Sequence, residues 1–200
     1  MSKFLYYPVG KPRQVNQQFG AINPSYQANG INIVGHNGVD FGVRHADPIY
    51  ASHDGIALYE IDGNQGHGVV LRSTTPEIID GKLQHYKTIY WHMVDPKVEP
   101  QHESPVFRSP NLVCKAGDLL GWADSTGFST GDHLHFGFKT IALNEDNGAW
   151  YNLNQDNGYM GAISPESYWN GYYAQDAQSI IGILSRVVGL LGEVILKIKK

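Results

Sequence analysis

Between residues 39 and 139 the chain runs as short apolar and aromatic stretches, 39–43, 49–51, 56–61, 69–72, 87–94, 119–123 and 133–139. Gly, Asp and Pro stand at most of the breaks between them. Stretches of this length between turn residues read as β-strands, and their close spacing predicts antiparallel hairpins. In 133–136 the order His-Leu-His-Phe alternates strictly, so a strand there sends both imidazoles to one face and Leu134 and Phe136 to the other, into apolar packing. Residues 144–175, rich in Asn, Gly, Tyr and Trp, have no clear period and are expected to form ordered loop.

The period changes near the C-terminus. On a helical wheel Ile180, Ile183, Leu184, Val187, Leu191, Val194 and Ile198 share one continuous face, while Gly182, Arg186, Gly189, Glu193 and Lys197 take the other. Leu196 breaks the pattern. The chain is therefore expected to divide into a β-domain at 1–175 and an amphipathic helix at 176–200. Arg186, Lys197, Lys199 and Lys200 against Glu193 make the helix basic. Its apolar face must be buried, either on the β-domain, on a second copy (self-association through 177–200) or at a membrane surface. A span across the bilayer is disfavoured, because Arg186 and Glu193 would lie in hydrocarbon.

Composition supports the β reading. The 200 residues are 42% hydrophobic and 12% aromatic, with 23 Gly and 10 Pro, which suits a turn-rich, strand-rich domain large enough to hold one core. A net charge of −4 gives no general attraction for nucleic acid, so no nucleic-acid partner is expected. The single cysteine, Cys114, excludes an internal disulfide and a Cys-rich zinc site, and reads as a small buried hydrophobe. The apolar run near Phe4 and Leu5 is too short for a signal-peptide core, so export by that route is not expected.

The chemically telling side chains lie in 35–40, Gly-His-Asn-Gly-Val-Asp, and 131–136, Gly-Asp-His-Leu-His-Phe. His36 and Asp40, four apart and spaced by Gly38, converge if the chain turns through that glycine. Two imidazole nitrogens and one carboxylate oxygen are a set that Zn²⁺ accepts, with the fourth tetrahedral position left for water. Taken alone, His-x-His is short enough to arise from unrelated core or surface histidines. Five of the nine histidines, His45, His53, His67, His85 and His102, have no patterned partner and are assigned to that ordinary role.

The combination is more specific. His36-Asn37-Gly38-Val39-Asp40-Phe41, Ile49-Tyr50-Ala51 followed by Asp54-Gly55, Tyr90-Trp91-His92-Met93, Gly117-Asp118-Leu119-Leu120-Gly121 and Ser125-Thr126-Gly127 leading to His133-Leu134-His135-Phe136 resemble, in order and interval over about 19–140, the lysostaphin-type (LytM-like) zinc metallopeptidases. The resemblance implies an antiparallel β-sheet peptidase domain that cuts peptide bonds in bacterial peptidoglycan, in stem peptide or cross-bridge. It implies that His36, Asp40 and His135 bind Zn²⁺, that His92 and His133 flank the attacking water, and that the enzyme works outside the cytoplasmic membrane, extracellularly or in the periplasm. With no signal peptide expected, a phage lysin or non-classical export fits that location. Two positions depart from the family pattern: Asp132 stands where proline is usual, and Gly137 where many members are acidic. Both departures are expected to alter loop shape or substrate fit and to leave the metal ligands in place.

Two other readings compete. Gly127-Phe128-Ser129-Thr130-Gly131 satisfies the Gly-x-Ser-x-Gly pattern of a serine hydrolase, but that elbow needs a helix after it, and an alternating stretch follows. A catalytically silent cell-wall-binding or regulatory member of the same fold would be expected to lack one or more ligands, whereas all five residues are present.

Overall fold

The computed structural model describes residues 2–173, which form a mainly β, antiparallel structure. The strands are β1 (Val15–Gln17), β2 (Val39–Phe41), β3 (Pro48–Tyr50), β4 (Gly55–Asp62), β5 (Gly66–Ser73), β6 (Glu77–Ile79), β7 (Lys82–Met93), β8 (Leu112–Cys114), β9 (Leu119–Trp122), β10 (Leu134–Leu143) and β11 (Trp150–Asn152). Two short helices, α1 (Pro24–Ala28) and α2 (Pro105–Arg108), sit in connections. The main sheet runs β1-β2-β10-β7-β5-β4-β8, with β11 beside β10 and β6 beside β7, while β3 and β9 pair separately. All seven strands expected from the sequence are present. The expected 176–200 helix lies outside the described residues, and among those described no helix is long and apolar enough to cross a membrane.

Only part of the sheet is hairpin. β4 and β5 pair as sequence neighbours, but β10 pairs with β2 on one side and β7 on the other, joining segments far apart in the chain. Alternation explains why these strands agree on a face. Leu134, Phe136 and Phe138 of β10 and Tyr86 and Tyr90 of β7 are buried in the core. The opposite face of β10 carries His135.

The stretch expected to be loop contributes much of the core cover. Tyr168 and Trp169 are buried, Leu5 and Tyr168–Asn170 exchange backbone hydrogen bonds, and Tyr7 stacks on Trp169 at 4.5 Å. Trp169 also packs on Phe136 at 5.1 Å, so both chain ends of the described region close the layer behind the His-bearing strand. Burial of large aromatic surface gives this layer its stability without needing a regular period. Cys114 is buried and free, as expected.

His53 is a core residue with a full set of partners. Its Nδ1–H donates to the Asp54 carbonyl at 2.9 Å, and its Nε2 meets Thr88 Oγ1 at 3.0 Å. Thr88 Oγ1 lies 2.8 Å from the Tyr90 hydroxyl, which accepts the Ser52 N–H. Burial pushes the His53 pKa down to about 4, so the folded protein holds a neutral ring. The unfolded chain therefore binds more protons between pH 4 and the ordinary value of 6.5, and stability falls as pH drops through that window. The loss is about 3 kcal/mol from this residue. Urea unfolding of metal-free protein at pH 7 and pH 4.5 should show a smaller drop for His53→Gln than for wild type, and equal drops would contradict the account.

Candidate metal centre

Asp40 of β2 and His135 of β10 are direct cross-strand partners, which puts their side chains on one face. His36 arrives from the turn before β2. Its backbone N–H donates to the Ala21 carbonyl and its carbonyl accepts from Gly20, both at 2.8 Å. Its Nδ1–H donates to the Gln18 carbonyl at 3.2 Å, which leaves Nε2 unprotonated and aimed inward. His36 Nε2, Asp40 Oδ1 and His135 Nδ1 then make a nearly equilateral triangle with edges of 3.0, 3.1 and 3.1 Å.

All three residues are buried. Three donor atoms this close are accommodated by a proton on a ring nitrogen or by a cation held between them. A tetrahedral ion with bonds of about 2.1 Å holds its ligand atoms about 3.4 Å apart, so the triangle accepts such an ion after a small expansion. The donor set also suits zinc, being two imidazoles and a carboxylate. Burial alone would raise the Asp40 pKa, but in the metal-free protein hydrogen bonds from the His135 and His36 rings, when these carry the extra proton, and their charge outweigh it and hold the carboxyl below the usual carboxylate range. Burial lowers the His135 pKa, against the opposing pull of Asp40, which favours the neutral ring that ligates.

Two further rings complete the constellation. The His92 and His133 rings lie tilted at 47° with centroids 4.5 Å apart, and the His92 ring lies 6.2 Å from that of His135. His92 occupies a β-bulge, because Trp91 pairs with Gly68 and Met93 with His67, leaving His92 as the extra residue. Its φ of 64° is left-handed, a conformation uncommon for residues other than glycine. The bulge turns the ring to the cleft side, where its Nδ1–H donates to the Thr126 carbonyl at 2.7 Å and frees Nε2. Burial, and then the His133 and His135 charges, push its pKa down to about 4. The His133 Nδ1–H donates to the Gly131 carbonyl at 2.8 Å, with Ser129 Oγ at 3.1 Å, and its Nε2 faces Asp40 Oδ2 at 3.8 Å.

The five residues singled out in the sequence thus meet at one cleft of ≈ 400 Å³. Sequence reasoning missed their neighbours: the Gln18 and Thr126 carbonyls, which orient His36 and His92, and Tyr26 of α1, whose ring lies nearly parallel to that of His36 at 6.3 Å. The Tyr26 hydroxyl accepts from Gln17 at 2.8 Å, and burial, with Asp40 nearby, raises its pKa to about 12. Gly127-Phe128-Ser129-Thr130-Gly131 leads into β10 and not into a helix, so Ser129 has no nucleophile elbow and instead supports the His133 ring.

Gly38 is required by close approach. A Cβ there would lie 2.6 Å from His135 Cε1 and 2.6 Å from the Phe136 carbonyl oxygen. Gly38→Ala is expected to push His135 out of the triangle, to weaken metal binding at least about tenfold and to destabilise the fold by about 1–3 kcal/mol. Metal content after dialysis and the thermal midpoint check both effects.

Fold and site together give an antiparallel β-sheet domain with a cleft over a buried triangle of two imidazoles and one carboxylate that could hold a metal ion. The profile of Peptidase family M23 matches residues 34–152, and the chain belongs to that family. It is 29% identical over 138 residues, 68% of its own length, to an uncharacterized metalloprotease of Haemophilus influenzae, and spans 24% of that protein. It is 30% identical over 137 residues, 66% of its length, to the peptidoglycan DD-endopeptidase ShyB of Vibrio cholerae, and spans 27% of it. The chain thus spans about a fifth to a quarter of the length of the curated relatives it matches. The catalytic domain of lysostaphin from Staphylococcus simulans shares the fold, with a TM-score of 0.53 and 23% identity over 78% of this chain and 91% of that one.

Proposed function

We propose that the chain is a zinc metalloendopeptidase that hydrolyses peptide bonds in bacterial peptidoglycan. The observation that carries this reading is the triangle of His36 Nε2, Asp40 Oδ1 and His135 Nδ1, with the rings of His92 and His133 beside it in an open cleft. When bound there, zinc supplies a Lewis acid and brings the pKa of water down to about 7. The chain's own groups do the rest. The backbone carbonyls of Thr126 and Gly131 fix the tautomers of His92 and His133, so that each presents Nε2 to the cleft, where it holds or moves a proton. No side-chain nucleophile is needed.

The completeness of this set favours an enzyme over a silent cell-wall-binding member of the fold. Action on peptidoglycan places the working enzyme outside the cytoplasmic membrane, and a phage lysin is one such enzyme. The unit that does the chemistry is assigned to 1–175, and 176–200 to an accessory segment that meets a membrane surface, the domain or a second copy. The test is digestion of purified peptidoglycans of different cross-link types, with mass spectrometry of the new termini. New amino and carboxyl termini at a stem peptide or a cross-bridge, lost on chelation, are the expected result. Intact peptidoglycan of every type in the presence of zinc would overturn the reading.

A further inference from the structure

We propose that His45, Glu99 and His102 form a second metal site, separate from the buried triangle, which takes a first-row divalent ion of the zinc class. Neither His45 nor His102 has a patterned partner along the chain. Folding brings them to one carboxylate oxygen: His45 Nε2 and His102 Nδ1 each lie 3.1 Å from Glu99 Oε2. All three ligand atoms fall within 4.8 Å of one another. Two imidazoles and one carboxylate match the donor chemistry of the first site. This cluster is partly exposed, so water completes the coordination.

The ligands are held from several directions. Glu99 caps the short 3-10 turn Pro100–His102, and the His102 N–H donates to the Glu99 carbonyl at 3.0 Å, which sets the two side chains three residues apart on one side of the turn. The His102 ring rests on Trp122 at 5.3 Å. His45 stands in a turn closed by the Asp47 carboxylate, which accepts the Arg44 N–H at 2.8 Å, and Ala46, at φ 60°, donates its N–H to the Ala123 carbonyl. Asp132, which stands where the family resemblance leads one to expect proline, accepts the His45 N–H through Oδ2 at 3.0 Å. That departure from the pattern thus places a ligand of the new site.

A carboxylate behind the ring supplies the remaining feature. Asp124 Oδ1 lies 3.1 Å from His45 Nδ1, accepts its N–H and turns the Nε2 lone pair towards Glu99. Carboxylate, imidazole and ligand carboxylate then stand in line, as they do behind metal-bound histidines. Asp124 also connects this cluster to the cleft, since its N–H donates to the His92 carbonyl at 2.8 Å. An ion here ties the turn after β2 to the 95–102 loop. The competing arrangement is a doubly protonated His45 bridging Asp124 and Glu99 with no ion at all.

Counting metal separates the two. Purified protein is dialysed against micromolar zinc without chelator, and zinc per chain is measured by mass spectrometry, with cobalt absorption as a second readout. Wild type should hold two ions, Glu99→Gln and His102→Ala one each, His36→Ala one, and the combined His36→Ala/Glu99→Gln none. An undiminished count in Glu99→Gln overturns the proposal, and so does a wild-type count of one that His36→Ala abolishes. If instead Glu99→Gln loses an ion while His36→Ala loses none, the second site stands and the triangle is the assignment that fails. Because Glu99 and His102 are only partly buried and His45 is exposed, circular dichroism of the variants should match wild type.

Discussion

Alanine at His36, Asp40 or His135 is expected to remove the buried metal and bring peptidoglycan hydrolysis to background. Each residue supplies one corner of a triangle with edges near 3 Å. With one corner gone, only two of the three ligands remain, and the affinity should fall by more than about 100-fold, beyond the range seen for residues that only orient a ligand. Removing the metal from the intact protein with a chelator should have the same effect on hydrolysis, reversed by added zinc. The measurements are tightly bound metal per chain and the rate of peptidoglycan solubilisation. Full zinc affinity in His135→Ala would sink the ligand assignment. Asp40 is the most informative of the three, because its carboxylate faces His36, His135 and His133 together and carries the negative charge of the site.

The second large effect separates proton handling from metal binding. Replacement of His133 by Ala, or of His92 by Asn, should lower turnover about 10²- to 10⁴-fold while metal content stays near wild type. Asn is the better choice at position 92, because it tolerates the left-handed backbone of the bulge, where φ is 64°. Alanine there would mix the loss of the ring with backbone strain. Both rings have Nδ1 committed to a backbone carbonyl, Thr126 for His92 and Gly131 for His133, so neither side chain is spent on the metal triangle. Equal metal loss from His133→Ala and His135→Ala would show that the roles of the two histidines are divided wrongly.

The two predictions rest on neighbours in sequence with different positions in space. His133 and His135 are separated by one residue, yet His135 sits in β10 opposite Asp40, while His133 precedes the strand and is held by the turn at Gly131. The same shared face that brings them together leaves one of them a corner of the triangle and the other 3.8 Å from the outer Asp40 oxygen.

Local sequence determined which stretches become strands and which side of 133–136 faces the core. That information is carried by period and by turn residues, which act over a few positions. The resemblance to the lysostaphin-type peptidases, carried by the order and interval of the motifs, implied that His36, Asp40, His92, His133 and His135 belong together. Tertiary structure decided the rest, because strand alternation specifies a face and not a partner. The pairing of β2 with β10, 95 residues apart at Asp40 and His135, is non-local. So are the bulge that points His92 into the cleft, the carbonyls of Gln18 and Thr126 that set the tautomers, and the packing of Trp169 behind Phe136. The short edge strands β1, β6, β8 and β11 have three residues each, too few to show a period, and their extension comes from the neighbour they pair with. The cluster of His45, Glu99 and His102 has no sequence signature for the same reason: a spacing of 54 residues between His45 and Glu99 acquires meaning only when the turn after β2 and the 95–102 loop are folded against each other.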